Sequence, residues 1–484
     1  VYWQGNDTQK LPRSMHKEHR GKVLDLIRAA GPLPGGLVLV QGGVARERND
    51  SDHEPIFRQE SNFHYLFGVA EPDCFATIHT DTGTSTLFVP RLPPEYAVWM
   101  GAIATPDDFK LKYEVEAVRY VDELAAAIAD MAPSTIYVYS GVNTDSKAKG
   151  VPASFEGIDA YTLDDVHLHP AIYEARVTKT EWEKKALLFA NKMSSAAHIH
   201  VMRKVRPGMM EYQMEADFIH YCYYNGGMRH QAYTSICGCG PNGAVLHYGH
   251  AAAPNNRKIK KGDMILTDQG LEYYCYASDI TCSYPVDGQF TDTQRGIYEA
   301  VLDATFRVFK AIKPGVSWVD MHDLAHRTIA EHLLRLGYLH GDLDDICKAQ
   351  VPDLFMPHGL GHLMGVDTHD VGGIPVGVEK YKTLRMNRKL LQHMCLTVEP
   401  GCYFIPALLE MAFKDENKAK HLNEAKLRGM YTFGGVRIED DLFVTHDGMR
   451  LMTNVPRTVK EIEAVMSGMD FPISDSDYPI LRQP

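Results

Sequence analysis

Residues 266–282 read Leu-Thr-Asp-Gln-Gly-Leu-Glu-Tyr-Tyr-Cys-Tyr-Ala-Ser-Asp-Ile-Thr-Cys, and this stretch decides the fold. It carries two carboxylates, Asp268 and Asp279, eleven residues apart. β-Branched and aromatic residues predict strands on both sides, at 264–266 and at 273–284. A hairpin of this kind would bring both aspartates to one end of a sheet, where buried charges need a partner such as a metal ion. Taken alone, the pattern favours a polar hairpin on the surface, so the choice between the two interpretations depends on the rest of the chain.

A histidine-rich segment lies further along the chain. Pro357-His-Gly-Leu-Gly-His362 sets two histidines around glycines, which allow sharp turns and close approach of the backbone. His369 and Asp370 follow it. The segment is not a zincin helix, because the glutamate that acts as the base in such helices is absent and two glycines disfavour a helix. Several histidines in one glycine-containing segment therefore indicate a functional site.

Two glutamates occur in strand-like surroundings. Glu399 ends the apolar run Cys395-Leu-Thr-Val, and Glu439 lies two residues after Arg437, on the same face of a predicted strand. Either glutamate alone is also consistent with a charge at the edge of a sheet. The full set of candidate metal ligands is Asp268, Asp279, His362, Glu399 and Glu439. Four carboxylates with one imidazole suit two hard or borderline divalent ions, manganese above all, with cobalt or zinc as alternatives.

Helix and strand patterns divide the chain into two parts. Residues 1–175 alternate short strand-like and helix-like segments, which predicts an α/β domain with a mixed sheet. The pattern changes at His169-Pro170, and a long helical segment begins near Thr180. Residues 176–484 contain helices followed by strands, twice over, which predicts an α+β domain with antiparallel strands. We therefore expect a domain boundary at 175/176.

Composition excludes several classes of function. The 484 residues are 45% apolar and 23% charged, as in ordinary globular proteins, and their net charge of −12 argues against nucleic acid or an anionic membrane as a partner. No apolar run is long enough for a membrane span, and no secretion-signal pattern opens the sequence. Nine cysteines fit neither a disulfide framework nor a zinc spacing. We expect a cytoplasmic protein that binds neither membranes nor nucleic acid.

Three other motifs have simpler interpretations. Gly238-Cys-Gly-Pro-Asn-Gly243 matches a dinucleotide-binding pattern, but such a turn must open a helix, whereas residues 244–248 predict a strand. His322 and His326 have the i, i+4 spacing of metal ligands, yet they stand beside charged residues on an amphipathic helix, which favours a solvated face. His198 has no supporting neighbours. We expect no site at any of the three.

The motifs that carry chemistry resemble those of the pita-bread metallopeptidases, in that family's order. They are the two-aspartate hairpin, HGLGH from His358 with HD from His369, TVEPG from Thr397 and GGVRIED from Gly434. Further similar segments are RQESNFHYLFGV from Arg58, STLFVPRLP from Ser85, GVNTDS from Gly141, GGMRH from Gly226 and LHYGHA from Leu246. The resemblance covers nearly the whole chain. It implies an α/β N-terminal domain followed by an α+β pita-bread (creatinase/aminopeptidase-like) catalytic domain.

The resemblance also implies roles for individual residues. The five candidate ligands match those of two divalent metal ions, most simply Mn²⁺, with Co²⁺ or Zn²⁺ as alternatives. The catalytic residues are matched by Glu399, His369 and His358, and the substrate-binding residues by His247, Arg385, Arg437, Tyr233 and Trp99. Trp99 resembles a tryptophan that reaches the site of a neighbouring subunit. A homodimer is therefore expected, with residues 1–175 serving dimerisation and substrate access.

The implied activity is hydrolysis of Xaa-Pro dipeptides, with release of the C-terminal proline through a metal-bridged hydroxide. Carboxylates in such dimetal sites hold the ions about 3.5–4 Å apart. Five residues depart from what is usual in the family, but none of them is a ligand: Gln269, Leu271, Met364, Thr368 and Cys402. Two alternatives stay open, an aminopeptidase that acts on longer Xaa-Pro peptides and a non-catalytic pita-bread binding module.

Overall fold

The computed structural model describes residues 1–5, 7–31 and 34–471. Contacts between residues divide the chain into two units. The first unit contains Val1–Trp3 and Gln9–Trp182. The second runs from Glu183 onward and also includes the short stretch Gln4–Thr8.

The first unit alternates short strands and helices. Its described strands are β1 (Gly36–Gln41), β2 (Phe75–His79), β3 (Ser85–Val89), β4 (Ala117–Tyr120), β5 (Thr135–Val138) and β6 (Leu163–Asp164). The described helices up to residue 180 are α1 (Met15–Ala29), α2 (Ser61–Phe67), α3 (Tyr96–Met100), α4 (Pro106–Tyr113), α5 (Leu124–Met131) and α6 (Leu168–Val177).

A mixed sheet forms the centre of the first unit. Its described strands lie in the order β4-β3-β2-β1-β5-β6. The pairs β1–β2 and β2–β3 are antiparallel, whereas β3–β4, β1–β5 and β5–β6 are parallel. Leu39, Phe88 and Ile136 of the sheet pack against Ala127 and Ile128 of α5. Strands β3 and β5 are buried along their whole length, so they are continuous apolar runs rather than alternating ones.

The second unit has longer helices and more sheets. Its described strands are β7 (His230–Gln231), β8 (Ile236–Cys239), β9 (Met264–Gln269), β10 (Leu271–Glu272), β11 (Ile280–Pro285), β12 (Cys395–Val398), β13 (Gly401–Tyr403), β14 (Gly435–Arg437), β15 (Asp440–Val444) and β16 (Met449–Leu451). The described helices from residue 181 onward are α7 (Glu181–Lys204), α8 (Glu211–Gly226), α9 (Asp292–Ala311), α10 (Trp318–Arg335), α11 (Leu343–Lys348), α12 (Pro406–Ala412), α13 (Glu416–Ala419), α14 (Glu424–Arg428) and α15 (Val459–Met466).

The predicted two-aspartate hairpin is present, with a shorter second strand. Strand β9 lies between β8 and β11, antiparallel to both, and Asp268 is opposite Thr281. The second strand begins at Ile280 and not at residue 273. Tyr274 and Cys275 have φ values of 47° and 65°, which interrupt an extended strand. The chain between the two long strands instead pairs as β10 with β7.

Two further antiparallel groupings complete the second unit's described strands. Strands β12, β15 and β16 form one sheet, and β13 pairs with β14. Helices α9 and α10 pack against each other. A capping box of Thr291 and Gln294 opens α9, and Ile297, Val301 and Val308 form its buried face at helical spacing.

These observations confirm the predicted fold class, an α/β unit with a mixed sheet followed by an α+β unit with antiparallel strands. Besides the start of the second hairpin strand, another local prediction is wrong, because residues 244–248 do not form a strand. Gly240–Ala244 is a 3₁₀ turn that starts at a φ of 54°, and irregular turns follow it. Among the described helices, none combines the length and the apolar composition that a membrane span requires.

Candidate metal centre

Two antiparallel strands bring Asp268 and Asp279 to the same end of a sheet. Asp268 is opposite Thr281, so Asp279, two residues earlier, lies beside the end of β9. The backbone N–H of Asp279 donates to Oδ2 of Asp441 over 2.8 Å, which fixes the chain at this point. The two site aspartates are only 8% and 4% exposed. Their burial favours the metal-binding interpretation of the hairpin over a polar surface hairpin.

The histidine-rich segment runs beside β12. The Thr397 N–H donates to the His362 carbonyl over 2.9 Å. The Glu399 N–H donates to the Leu360 carbonyl over 2.8 Å. A Cβ at Gly361 would lie 2.1 Å from the Thr397 carbonyl oxygen, so glycine is required for this close approach. The pairing places His362 Nε2 3.5 Å from Glu399 Oε1.

Thr281 holds Glu439 by both its backbone and its side chain. The Glu439 N–H donates to the Thr281 carbonyl over 3.2 Å, and Thr281 Oγ1 donates to Glu439 Oε2 over 2.7 Å. Arg437 Nε in turn donates to the Thr281 hydroxyl oxygen over 3.1 Å. Arg457 donates to the carbonyls of Thr281 and Glu439. The orientation of Glu439 is therefore fixed before any ligand arrives.

The five candidate ligands line one cavity of about 540 Å³. Among the described residues, Asp279, His362 and Glu439 form a group whose ligand atoms all lie within 4.8 Å of one another. His362 Nε2 lies 3.3 Å from Asp279 Oδ2. Asp268 and Glu399 line the same space.

Burial and mutual repulsion weaken the acidity of these carboxyl groups. Burial raises the pKa of Asp268, and burial together with repulsion from Asp279 raises the pKa of Glu439 well above its ordinary value. Burial also raises the pKa of Glu399 to about 7. Burial alone would lower the pKa of His362, but its hydrogen bond with Asp279 and the charge of Glu399 raise it. A bound cation would relieve this concentration of acidic groups.

Both oxygens of Asp268 have protein partners. Tyr233 donates its hydroxyl to Oδ1 over 2.6 Å, and Arg437 donates from Nη2 to Oδ2 over 2.7 Å. Burial, and next the charge of Asp268, raises the pKa of Tyr233 well above its usual range, so the tyrosine remains a donor. These two bonds fix the direction in which the carboxylate faces.

A tyrosine that the sequence analysis missed holds His358. The Tyr403 hydroxyl donates to His358 Nε2 over 2.9 Å, while His358 Nδ1 donates to the carbonyl of the next residue over 2.8 Å. Burial, and then the charge of Arg437, lowers the pKa of His358 to about 3, so this ring is neutral. A Cβ at Gly401 or Gly435 would come within 2.4 Å of the Tyr403 side chain. Those two glycines are the sequence signal that could have pointed to Tyr403.

The remaining predicted residues line the cavity as well, apart from Trp99. Those that do so are Tyr233, His247, His358, His369, Arg385 and Arg437. A Cβ at Gly373 would lie 2.4 Å from the Arg385 carbonyl oxygen, so this glycine lets the backbone that follows His369 pass close to Arg385. Trp99 belongs to the first unit, on α3, where it is 84% exposed.

The solvated interpretation of His322 and His326 is wrong. Both are buried, because α10 packs against the turn Pro352–Leu354. His326 Nδ1 lies 2.9 Å from Asp353 Oδ1, and its Nε2 is 3.1 Å from the Met356 carbonyl oxygen. Burial alone would raise the pKa of Asp353, but the hydrogen bond with His326 lowers it to about 2. His198 is buried too, with Nε2 3.1 Å from the Gln269 carbonyl oxygen.

The donor set fits divalent metal ions. The carboxylates lie around one imidazole, and burial has raised their pKa values. The protein offsets their negative charge only in part, through Arg437, and a bound cation would offset the rest. Carboxylate-rich ligation with one nitrogen is typical of hard or borderline divalent ions.

Comparison with known protein families identifies both units. The model of metallopeptidase family M24 matches residues 185–446, and the model of the aminopeptidase P N-terminal domain matches residues 16–139. The Xaa-Pro dipeptidase of Homo sapiens is 50% identical over 475 residues, which cover 97% of this chain and 96% of that protein. A probable Xaa-Pro aminopeptidase of Phaeosphaeria nodorum is 37% identical and covers 93% of this chain and 96% of its own length.

Solved structures with the same fold are also found. The aminopeptidase PepP of Pseudomonas aeruginosa superposes with a TM-score of 0.77 at 31% identity, and the match covers 95% of this chain and 98% of that one. Zinc-substituted aminopeptidase P of Escherichia coli in complex with product gives the same TM-score at 28% identity, with 95% and 99% covered. The likeness extends over both units of the fold.

Proposed function

Because the chain belongs to metallopeptidase family M24, we propose that it is an Xaa-Pro dipeptidase, or prolidase, which hydrolyses the bond before proline. One observation carries the proposal: the five candidate metal ligands and Arg385 line the same cavity. The relatives that are 50% identical along the chain are named Xaa-Pro dipeptidases, which supports the same substrate class.

Membership of the family implies a dinuclear divalent metal site. We assign its ligands to the five side chains that line the cavity, namely Asp268, Asp279, His362, Glu399 and Glu439. When bound, such ions supply Lewis-acid polarisation of a carbonyl and bring the pKa of water close to neutrality. Manganese is the proposed ion, since most of the ligand atoms are carboxylate oxygens, and cobalt or zinc are the alternatives.

Substrate binding depends on the chemistry of the Xaa-Pro dipeptide. Its peptide bond is a tertiary amide without an N–H, so peptidases that grip this hydrogen bind it poorly. The planar guanidinium of Arg385 is suited to hold the terminal carboxylate through two parallel hydrogen bonds, which limits the substrate to two residues. His247 lies on the cavity wall and would contact the N-terminal residue. Arg437 and Tyr233 support the site by orienting Asp268.

Glu399 is the proposed proton carrier. A carboxyl group that faces the cavity can accept a proton from water and release it to a leaving group. The side chain is only partly buried and lines the cavity. It takes a proton from the attacking water and delivers it to the departing proline nitrogen, which must be protonated to leave as an amine.

His369 is better placed than His358 to donate to the negative charge that develops on the carbonyl oxygen. Both ring nitrogens of His358 already have partners. The His369 ring makes no hydrogen bond with another described residue, and burial followed by the charge of His362 lowers its pKa to about 2. It is therefore a neutral imidazole with one N–H to give. Removal of one such donor typically lowers kcat about 10²–10³-fold.

The test compares a dipeptide with a tripeptide. With Gly-Pro and Gly-Pro-Gly at equal concentrations and saturating Mn²⁺, we expect kcat/KM to be higher for the dipeptide. Faster cleavage of the tripeptide would favour the second candidate, an aminopeptidase. We test this candidate because solved structures with the same fold are named aminopeptidase P. Cleavage of neither peptide by the metal-loaded protein would favour a binding module.

We also propose that residues 1–175 form a domain for dimerisation and substrate access, and that residues 176–484 form the catalytic domain. The apolar residues of α3 support a homodimer, because Val98, Trp99 and Met100 are 77%, 84% and 63% exposed. Sedimentation of the protein and of its Trp99→Ser variant tests this: a dimer that the substitution weakens is expected, and a monomeric starting protein would contradict it. A cytoplasmic location is likewise proposed, and cell fractionation tests it.

A further inference from the structure

Glu211 is a buried carboxylate without a catalytic role in the proposal above. It is the first residue of α8 and is fully buried. Its Oε2 accepts the Tyr248 hydroxyl over 2.7 Å and the Arg257 backbone N–H over 2.8 Å. Its Oε1 accepts the Cys239 backbone N–H over 2.8 Å and the Asn242 side-chain amide over 3.0 Å. A buried carboxylate with so many donors is strongly held in place.

The donors to Glu211 all come from one stretch of the chain, residues 239–257, which includes the cavity-lining residues His247 and Tyr248. Cys239 ends β8, Asn242 lies in the 3₁₀ turn Gly240–Ala244, and Tyr248 follows that turn. Asn242 also donates to the Tyr248 hydroxyl oxygen over 2.8 Å. Glu211, Asn242 and Tyr248 therefore form one closed hydrogen-bond network. The glycine-rich motif that resembles a dinucleotide loop is thus a turn that the Glu211 carboxylate fixes from within the protein.

His247 stands at the end of this network. It immediately precedes Tyr248, lines the cavity and is itself exposed. Its ring makes no hydrogen bond with another described residue, so its position depends on the backbone around it. Two residues after His247, Gly249 has a φ of 90° and passes close to the Ser235 carbonyl. A Cβ on Gly249 would lie 2.1 Å from that oxygen. Tyr248 and Gly249 therefore hold the backbone that follows His247 in place.

We propose that Glu211 is a positioning residue for substrate binding, and that it acts through the Tyr248 hydroxyl to hold His247 on the cavity wall. This inference rests on the proposed function for the role of His247. Loss of the Tyr248 hydroxyl removes one hydrogen bond to a carboxylate, which is worth about tenfold in an equilibrium. The expected result is a higher KM with little change in kcat, because the candidate metal ligands lie on other segments.

The experiment compares Tyr248→Phe with Tyr431→Phe in the Mn²⁺-loaded 484-residue chain. Tyr431 is the control, since its hydroxyl also donates to a glutamate, Glu410, over 2.7 Å. Tyr248 lines the cavity, whereas Tyr431 and Glu410 do not. Two quantities are measured: kcat and KM for Gly-Pro, and amide hydrogen exchange of residues 244–252. For Tyr248→Phe we expect KM to rise about tenfold and exchange in this segment to become faster, with metal content unchanged. Tyr431→Phe should change neither quantity.

Other outcomes separate this inference from the proposed function. Unchanged exchange in Tyr248→Phe, or faster exchange without a rise in KM, would overturn the positioning role. If the unsubstituted protein hydrolyses no Xaa-Pro dipeptide, the proposed function fails, and the exchange measurement alone then decides whether the hydroxyl holds the turn. Glu211→Gln offers a second test of the same kind. The side-chain NH2 group of glutamine cannot accept hydrogen bonds, so donors that now bind a carboxylate oxygen would lose their acceptor. Amide exchange of residues 244–252 should therefore increase at least as much as in Tyr248→Phe.

Discussion

Arg437 Nη2 lies 2.7 Å from Asp268 Oδ2, and both side chains are buried. The same guanidinium donates to the hydroxyls of Thr281 and Tyr403. One cation of the protein thus supports a candidate ligand directly, a second ligand through Thr281, and a histidine through Tyr403. The candidate metal centre is therefore a network whose members depend on each other.

The first prediction concerns the stability of the metal-free protein. Arg437→Met leaves Asp268 as a buried carboxylate without its cation, and breaking such a pair typically costs about 3–5 kcal/mol in free energy of unfolding. Thermal unfolding with and without Mn²⁺ measures the effect. Bound Mn²⁺ should restore part of the loss, because it provides positive charge beside the same carboxylate.

Arg327→Met is the control for this prediction. Arg327 also lies 2.7 Å from a carboxylate, that of Asp344, but both groups are exposed to solvent. Little change in unfolding is expected for it. Equal destabilisation by both substitutions would show that burial of the Arg437 pair is not what matters.

A second prediction concerns Thr281. Thr281→Val keeps the shape of the side chain but removes the hydroxyl that donates to Glu439 and accepts from Arg437. Loss of such a contact behind a ligand typically weakens metal binding about 10–100-fold. Titration of the metal-free protein with Mn²⁺ measures the dissociation constant. Thr305→Val, which removes a buried hydroxyl bonded to the Val301 carbonyl within α9, should leave that constant unchanged.

A third prediction addresses the limit on substrate length. In Arg385→Lys an ammonium group replaces the planar guanidinium, which can bind a carboxylate through two parallel hydrogen bonds. KM for Gly-Pro should therefore rise about tenfold while kcat changes little. Arg388→Lys is the control, because Arg388 is nearby in sequence but does not line the cavity. An unchanged KM for Arg385→Lys would mean that another group binds the terminal carboxylate.

A fourth prediction follows from the pKa of Glu399, which burial raises to about 7. Below that pH the carboxyl group holds a proton in the metal-free protein, and metal binding must displace it. The apparent affinity for Mn²⁺ should therefore increase as the pH rises from about 6 to about 7. For each proton that metal binding releases, the increase is up to about tenfold per pH unit. Isothermal titration at several pH values tests this. Glu399→Gln should show a smaller increase over the same range, and an identical increase would assign the proton to another group.

Much of the candidate site could be predicted from the sequence because its ligands carry local signals. Asp268 and Asp279 interrupt apolar strands, and His362 lies between glycines that allow it to approach β12. The supporting residues carry no such signal. Thr281 is an ordinary strand residue, and its partner Glu439 is 158 residues away in the sequence. Asp441 likewise acts through a contact that only the fold creates, whereas Tyr403 is signalled only indirectly, by the two glycines that make room for its ring.

Two more of the wrong local predictions, besides the start of the second hairpin strand, have physical causes. Residues 244–248 are rich in apolar side chains, which favours a strand, but the hydrogen bonds that Glu211 accepts hold Asn242 and Tyr248 in a turn. The charges around His322 and His326 suggest a solvated helix face. That face is instead covered by the turn Pro352–Leu354, whose Asp353 pairs with His326. In both cases a tertiary contact overrides the local pattern.

The central claim is that Asp268, Asp279, His362, Glu399 and Glu439 hold two divalent ions on which Gly-Pro hydrolysis depends. Metal content and Gly-Pro hydrolysis measured on one purified sample, before and after chelation and after addition of Mn²⁺, test it most directly. We predict two divalent ions per chain, loss of hydrolysis when they are removed and recovery when they are returned. In His362→Ala we predict loss of the metal at one site and of most turnover, and in His421→Ala neither loss. Full hydrolysis by protein that contains no divalent ion would contradict the account.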